Sequence, residues 1–148
     1  MSQKKILVVD DDPDVRLALQ VRLNANHYDV VCAGDGVTSI SEAQKQKPDL
    51  MILDLGLPAG DGFSVLQRMK ANEKLASIPV IVLSGRDRVD NRDRAIKAGA
   101  KTFLQKPMEH GKLMAVIRLI LEAKEHPAAF IYDLGDAGPK NQCEARQS

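Results

Sequence analysis

Short apolar runs without alternation recur along the chain, and each ends at a polar or charged residue. Residues 6–9 (Ile-Leu-Val-Val) are followed by Asp10, and residues 50–53 (Leu-Met-Ile-Leu) are followed by Asp54. Such runs are typical of strands that are buried on both faces, as in a parallel sheet covered by helices. Because a charge is costly inside such a core, each carboxylate should lie where its strand emerges.

The remaining hydrophobic pattern completes a regular alternation of strands and helices. Further strands are predicted at residues 29–33, 78–83 and 102–104, and apolar residues at helical spacing predict five helices. Asp12 is expected to cap the first helix, and Gly99 to end a strongly charged one at residues 87–98. The alternation predicts an α/β fold: a flavodoxin-like, doubly wound (βα)5 sandwich with a five-stranded parallel sheet.

Composition narrows the class of protein without identifying it. The 148 residues include 21 Lys+Arg and 20 Asp+Glu, a net charge of +1 that gives no bias toward nucleic acid. Cys32 and Cys143 show neither paired nor metal-type spacing, so we expect a cytoplasmic protein, and no apolar run is long enough for a membrane span. The periodicity stops after about Glu125, which predicts one domain at residues 4–125 and a poorly ordered tail at residues 126–148, with no output domain.

Polar residues follow four of the five predicted strands. Right-handed crossovers place all strand ends at one edge, which brings together the residues Asp10, Asp11, Asp54, Ser84 and Lys106. Carboxylates this close call for a cation, and Mg²⁺ suits a site of few carboxylates plus water and phosphate oxygens. The ammonium of Lys106 and the hydroxyl of Ser84 could both contact phosphoryl oxygens. Together these groups indicate an aspartyl-phosphate site.

The motifs at this edge resemble those of the receiver domain of bacterial two-component response regulators. The resemblance covers residues 4 to about 125 and rests on five ordered motifs: the acid run at 10–12, Asp54 with Pro58 and Asp61-Gly62, Ser84-Gly85, Gly99-Ala100, and residues 103–107 (Phe-Leu-Gln-Lys-Pro). The intervals 84 − 54 = 30 and 106 − 84 = 22 also fit the family.

The resemblance implies a role for each site residue. Asp54 would accept the phosphoryl group, and Asp10, Asp11 and the backbone carbonyl of Gly56 would join it in binding Mg²⁺ or Mn²⁺. Ser84 and Lys106 would contact phosphoryl oxygens. Phe103 would turn inward as Ser84 moves on activation, and the peptide bond before Pro107 would be cis.

The resemblance also implies a function and partners. A histidine kinase or phosphotransfer protein would donate the phosphoryl group from a phosphohistidine, and the chain would act on no external substrate. A downstream protein, or a second copy of the chain, would bind a face made of residues 86–104 and the last helix. Neither nucleic acid nor a membrane is expected as a direct partner.

Two other functions remain open from the residues alone. The first is a metal-dependent aspartyl-phosphate phosphatase of the haloacid-dehalogenase type. Such enzymes normally place a second Asp two residues after the nucleophile, where this chain has Gly56. The second is a non-catalytic flavodoxin-like binding module, which would leave the acid cluster and Lys106 unexplained.

Overall fold

The centre of the fold is a five-stranded parallel sheet, and the predicted site lies at the carboxyl ends of its strands. The structure is a computed structural model that describes residues 3–57, 62–85 and 88–125, without the side chains of residues 88–90 and 125. The strands are β1 (Lys5–Val9), β2 (Asp29–Ala33), β3 (Leu50–Leu53), β4 (Val80–Ser84) and β5 (Thr102–Gln105). All pair in parallel, in the order β2-β1-β3-β4-β5.

The helices alternate with the strands as predicted. They are α1 (Pro13–Ala25), α2 (Gly36–Gln46), α3 (Gly62–Ala71), α4 (Arg88–Lys97) and α5 (His110–Glu125). Asp12 caps α1 through its side chain, as expected, and Asp35 caps α2 in the same way. Five parallel strands and five helices in this order form a flavodoxin-like α/β fold.

The described residues divide into two compact units, one that ends at Pro107 and one that begins at Met108. In the first unit, every residue of β3 and β4 is buried, as a sheet covered on both faces requires. A hydrophobic core cluster joins strand residues to side chains of α2 and α3, among them Leu7, Val9, Met51, Leu53, Val82, Phe103, Ile40, Ala43, Phe63, Leu66 and Met69. In the second unit, α5 buries apolar residues at helical spacing: Leu113, Val116, Ile117, Ile120 and Leu121.

Several boundaries and exposures differ from the sequence expectation. The fourth strand begins at Val80, two residues after the predicted start at residue 78. The carbonyl of Pro79 accepts a hydrogen bond from the N–H of Met51. Val37 is an apolar residue at helical spacing from Ile40 in α2, yet it is 67% exposed while Ile40 and Ala43 are buried. The predicted tail at residues 126–148 lies outside the described residues. In the described part of the chain, no helix is both long enough and apolar enough to cross a membrane.

Candidate functional site

The carboxyl ends of β1 and β3 bring the predicted acidic residues together. Asp10, Asp11 and Asp54 each offer a carboxylate oxygen, and these oxygens lie within 4.8 Å of one another. The N–H of Asp54 donates to the carbonyl of Val9 at 2.9 Å, which holds Asp54 beside the end of β1. The strand order reverses between β1 and β3, and open α/β sheets bind ligands at such a switch point.

Asp10 is a buried charge whose carboxylate is hydrogen-bonded on both oxygens. It is 4% exposed. Its Oδ1 accepts from the N–H of Asp12 at 2.9 Å, and its Oδ2 accepts from Nζ of Lys106 at 2.9 Å. These bonds offset the cost of removing the carboxylate from water, so the side chain is held in one position.

Lys106 lies between two carboxylates. Its Nζ is 2.9 Å from Oδ2 of Asp10 and 3.6 Å from Oδ2 of Asp54. Burial lowers the pKa of Lys106, but the hydrogen bond and charge of Asp10, together with the charge of Asp54, outweigh burial and raise the pKa above its ordinary value. The ammonium is therefore kept charged beside the predicted phosphoryl acceptor. The Lys106–Pro107 peptide bond is cis.

Asp54 follows β3 directly, and its side chain is 13% exposed. Its Oδ1 accepts from the N–H of Gly56 at 3.0 Å. Behind it, α3 approaches so closely that a Cβ on Gly62 would lie 2.8 Å from the carbonyl oxygen of Asp54 and 2.5 Å from Cα of Leu55. Asp54 thus emerges from the core toward solvent while its backbone is packed against α3.

Ser84 and Phe103 lie on neighbouring strands and project from the same face of the sheet. Ser84 pairs with Gln105, two residues beyond the pairing of Val82 with Phe103. Each of the two side chains is 1% exposed. Phe103 is thus buried in this structure, and its change of rotamer with Ser84 on activation stays a prediction. The burial of Phe103 could not be read from the sequence, because it depends on the space that neighbouring side chains leave beside β5.

The structure shows one polar contact to the site that the sequence did not predict. Nη1 of Arg16, on α1, donates to the backbone carbonyl of Asp10 at 2.7 Å. A charged residue near the start of an amphipathic helix is ordinary, so spacing alone does not mark it.

The charges of the site suit a divalent cation. Three carboxylates and one ammonium, −3 + 1, leave a net charge of −2 within the cluster. The carboxylate oxygens of Asp10, Asp11 and Asp54 form the hard donor set that Mg²⁺ prefers.

Fold and site together define a flavodoxin-like α/β protein with a cluster of carboxylates and an ammonium at the switch point of its sheet. Residues 6–118 match the family described as "Response regulator receiver domain". The chain belongs to this family. Its membership supports a phosphorelay receiver over a dehalogenase-type phosphatase or a passive binding module.

Individual relatives agree with this assignment. The chain is 36% identical over 117 residues to the DNA-binding dual master transcriptional regulator RpaA of Synechocystis, covering 79% of this chain and 48% of RpaA. It is 33% identical over 139 residues to the transcriptional regulatory protein PrrA of Mycobacterium tuberculosis, covering 94% of this chain and 59% of PrrA. The chain thus spans about half the length of these relatives.

A solved structure shows the same fold. The CheY-like response regulator receiver domain protein of Methanospirillum hungatei superposes with a TM-score of 0.80 at 24% identity, over 85% of this chain and 99% of that one. At that identity the likeness concerns the fold alone.

Proposed function

We propose that the chain is a phosphorelay receiver in which Asp54 accepts a phosphoryl group from a phosphohistidine of a histidine kinase or phosphotransfer protein. The observation that carries this proposal is the cluster of three carboxylates within 4.8 Å of one another, with Nζ of Lys106 at 2.9 Å from Asp10 and 3.6 Å from Asp54. A carboxylate of Asp54 forms the new P–O bond as the P–N bond of the donor breaks, and the imidazole nitrogen leaves with the electron pair.

The residues around Asp54 fit such a transfer. The raised pKa of Lys106 keeps its ammonium charged, and a phosphoryl group would offer it oxygens next to the carboxylate that it already approaches. Ser84, buried at the end of β4, is the proposed hydroxyl contact. Gly56, where a dehalogenase-type enzyme has its acid/base Asp, donates a backbone N–H to Asp54 instead. The glycine at position 56 supports phosphorylation of the chain's own Asp54 without turnover of an external substrate.

The proposed cofactor is Mg²⁺, or Mn²⁺ with the same donors. Asp10, Asp11 and Asp54 would hold it through carboxylate oxygens, and Gly56 through its backbone carbonyl. The bound ion would supply neutralisation of charge on the transferring phosphoryl oxygens. The net charge of −2 in the cluster supports this assignment.

The proposed output is a change in binding of a downstream protein, or of a second copy, at residues 86–104 and the last helix. Residues 86 and 87 lie outside the described part of the chain. Within it, Arg94 has its guanidinium carbon 3.8 Å from the ring centroid of Phe63 on α3, so this arginine already makes a cation–π contact. Charge reversal at Arg92 or at Arg94 would test this face, and at Arg94 it would also remove the contact with Phe63.

The extent of the receiver domain, residues 4–125, and its cytoplasmic location belong to the same proposal. DNA binding is named for RpaA, of which this chain covers 48%. We propose no direct nucleic-acid contact for the chain itself, and its net charge of +1 supports that view.

The mass of the intact protein tests the proposal after incubation with a small phosphoryl donor, with and without Mg²⁺. Wild type should gain one phosphoryl group only with Mg²⁺, while Asp54→Asn should gain none. Asp11→Asn should retain the acceptor but require much more Mg²⁺. An unchanged adduct on Asp54→Asn would place the acceptor elsewhere.

A further inference from the structure

Arg16 reaches from α1 back to the end of β1. Its Nη1 donates to the carbonyl oxygen of Asp10 at 2.7 Å. That carbonyl belongs to the peptide bond that joins Asp10 to Asp11, two of the proposed metal ligands. Because a peptide unit is planar, holding its oxygen fixes the orientation of the whole unit, including the N–H of Asp11.

The guanidinium lies close to the segment that follows β2. A Cβ on Gly34 would lie 3.0 Å from Nη1 of Arg16 and 3.7 Å from its Cζ. Next to it, the carbonyl of Ala33 accepts from the N–H of Asp10 at 3.2 Å. The backbone of Asp10 is therefore held at its N–H by the end of β2 and at its carbonyl by α1.

This backbone anchoring matters most for Asp11. The carboxylate of Asp10 is fixed by its own two hydrogen bonds. Asp11 is exposed, so the direction of its carboxylate depends on how the preceding peptide is held.

We propose that Arg16 is a positioning residue for the divalent cation: by holding the Asp10–Asp11 peptide, it aims the carboxylate of Asp11 at the ion. The inference rests on the proposed function, because it takes these carboxylates as the metal site. Outer groups that orient metal ligands commonly alter metal affinity by 10- to 100-fold.

The charge of Arg16 weakens cation binding, whereas its positioning role strengthens it. Removing a guanidinium from the neighbourhood of three carboxylates would, through electrostatics alone, tighten the binding of a cation. Losing the anchor of the peptide would weaken it. The sign of the change in Mg²⁺ affinity therefore separates the two effects.

Titration calorimetry of the full chain with Mg²⁺ measures that sign. Arg16→Met should raise the Kd roughly tenfold or more, and Arg16→Lys, which keeps the charge and one donor, should recover part of the loss. Gly34→Ala, whose methyl would lie 3.0 Å from Nη1 and require the guanidinium to shift by a few tenths of an ångström, should raise the Kd less than Arg16→Met does. Arg22→Met removes an exposed charge from the last turn of the same helix and should leave the Kd unchanged.

A metal-free measurement accompanies the titration. The amide ¹⁵N resonance of Asp11 should shift in Arg16→Met without Mg²⁺, because its peptide loses the hydrogen bond, and should stay in place in Arg22→Met. Equal or tighter Mg²⁺ binding by Arg16→Met, or an unmoved Asp11 resonance, would overturn the inference. If Arg16→Met fails to fold, Arg16→Lys decides: a Kd above the wild-type value supports the inference and an unchanged Kd refutes it. A wild type that binds no Mg²⁺ would overturn the proposed function itself, and the inference with it.

Discussion

Lys106 neutralises part of the negative charge of the site. Asp10 is almost fully buried, and Asp54 lies within 4.8 Å of it, so the two carboxylates repel each other unless a cation lies between them. Nζ of Lys106 contacts both. A bound divalent ion would take over part of this neutralisation, which would release the ammonium toward phosphoryl oxygens.

Lys106→Met should therefore destabilise the metal-free protein more than the Mg²⁺-bound one. Without Mg²⁺ we expect a loss of about 2 kcal/mol or more in the free energy of unfolding, since a buried carboxylate loses a charged partner. Saturating Mg²⁺ should restore much of that loss. Urea denaturation with and without Mg²⁺ measures both, with Lys101→Met, at an exposed lysine before β5, as the control. An equal loss in both conditions would show that Lys106 does not substitute for the ion.

At the scale of elements, α3 is packed directly onto the backbone of the proposed acceptor. The first residue of α3, Gly62, leaves no room for a side chain against Leu55 and Asp54, and its N–H donates to the carbonyl of Leu55 at 3.1 Å. The position of Asp54 is thus tied to the start of α3.

Gly62→Ala should be destabilising even though alanine usually favours a helix. The new methyl would lie 2.5 and 2.8 Å from backbone atoms, so α3 must move away, at a cost of about 1 to 3 kcal/mol. We also expect slower phosphoryl uptake at Asp54. Thermal denaturation and a time course of phosphorylation test this, with Gly85→Ala as the matched control because nothing lies within 4 Å of its Cβ position. Unaltered stability and uptake in Gly62→Ala would contradict the tight packing.

The start of α2 predicts a dependence of stability on pH. The N–H of Thr38 donates to the carboxylate of Asp35 at 2.7 Å and lowers the pKa of that carboxyl in the folded state. A lowered folded pKa gives stability that is present above the unfolded value, about 3.9, and is lost as the pH falls through the folded value. Asp35→Asn keeps an acceptor that does not titrate. The stability difference between wild type and Asp35→Asn should shrink below about pH 4, as chemical denaturation across pH would show; a constant difference would refute it.

The sequence predicted the order of elements and most of the polar edge, because apolar runs and strand-end residues are local signals. The strand that ends at Asp54 and the helix cap at Asp12 could be read from neighbouring residues. The contact of Arg16 with Asp10, the close approach at Gly62 and the buried state of Phe103 could not. Each depends on the distance between elements that are remote in the chain, which hydrophobic periodicity does not encode.

At the scale of the whole molecule, the five strands end at Gln105 and the family match ends at residue 118. The site draws its groups from the ends of β1, β3, β4 and β5, all within that span. The proposed receiver domain at residues 4–125 contains every residue of the site.

A chain that stops after Glu125 should consequently fold and accept a phosphoryl group as the full chain does. We expect its free energy of unfolding to lie within about 1 kcal/mol of the full-length value, the scale of a peripheral contact. Denaturation and phosphorylation of the two chains in parallel measure this. A loss of several kcal/mol would assign residues 126–148 to the folded domain.

The central claim is that Asp54 forms an acyl phosphate. Borohydride reduces an aspartyl phosphate to homoserine, so peptide mapping after phosphorylation and reduction locates the modified residue directly. Homoserine should be found at position 54 in wild type, only when donor and Mg²⁺ were both present. Homoserine at Asp10 or Asp11, or none at position 54 in a phosphorylated chain, would contradict the account.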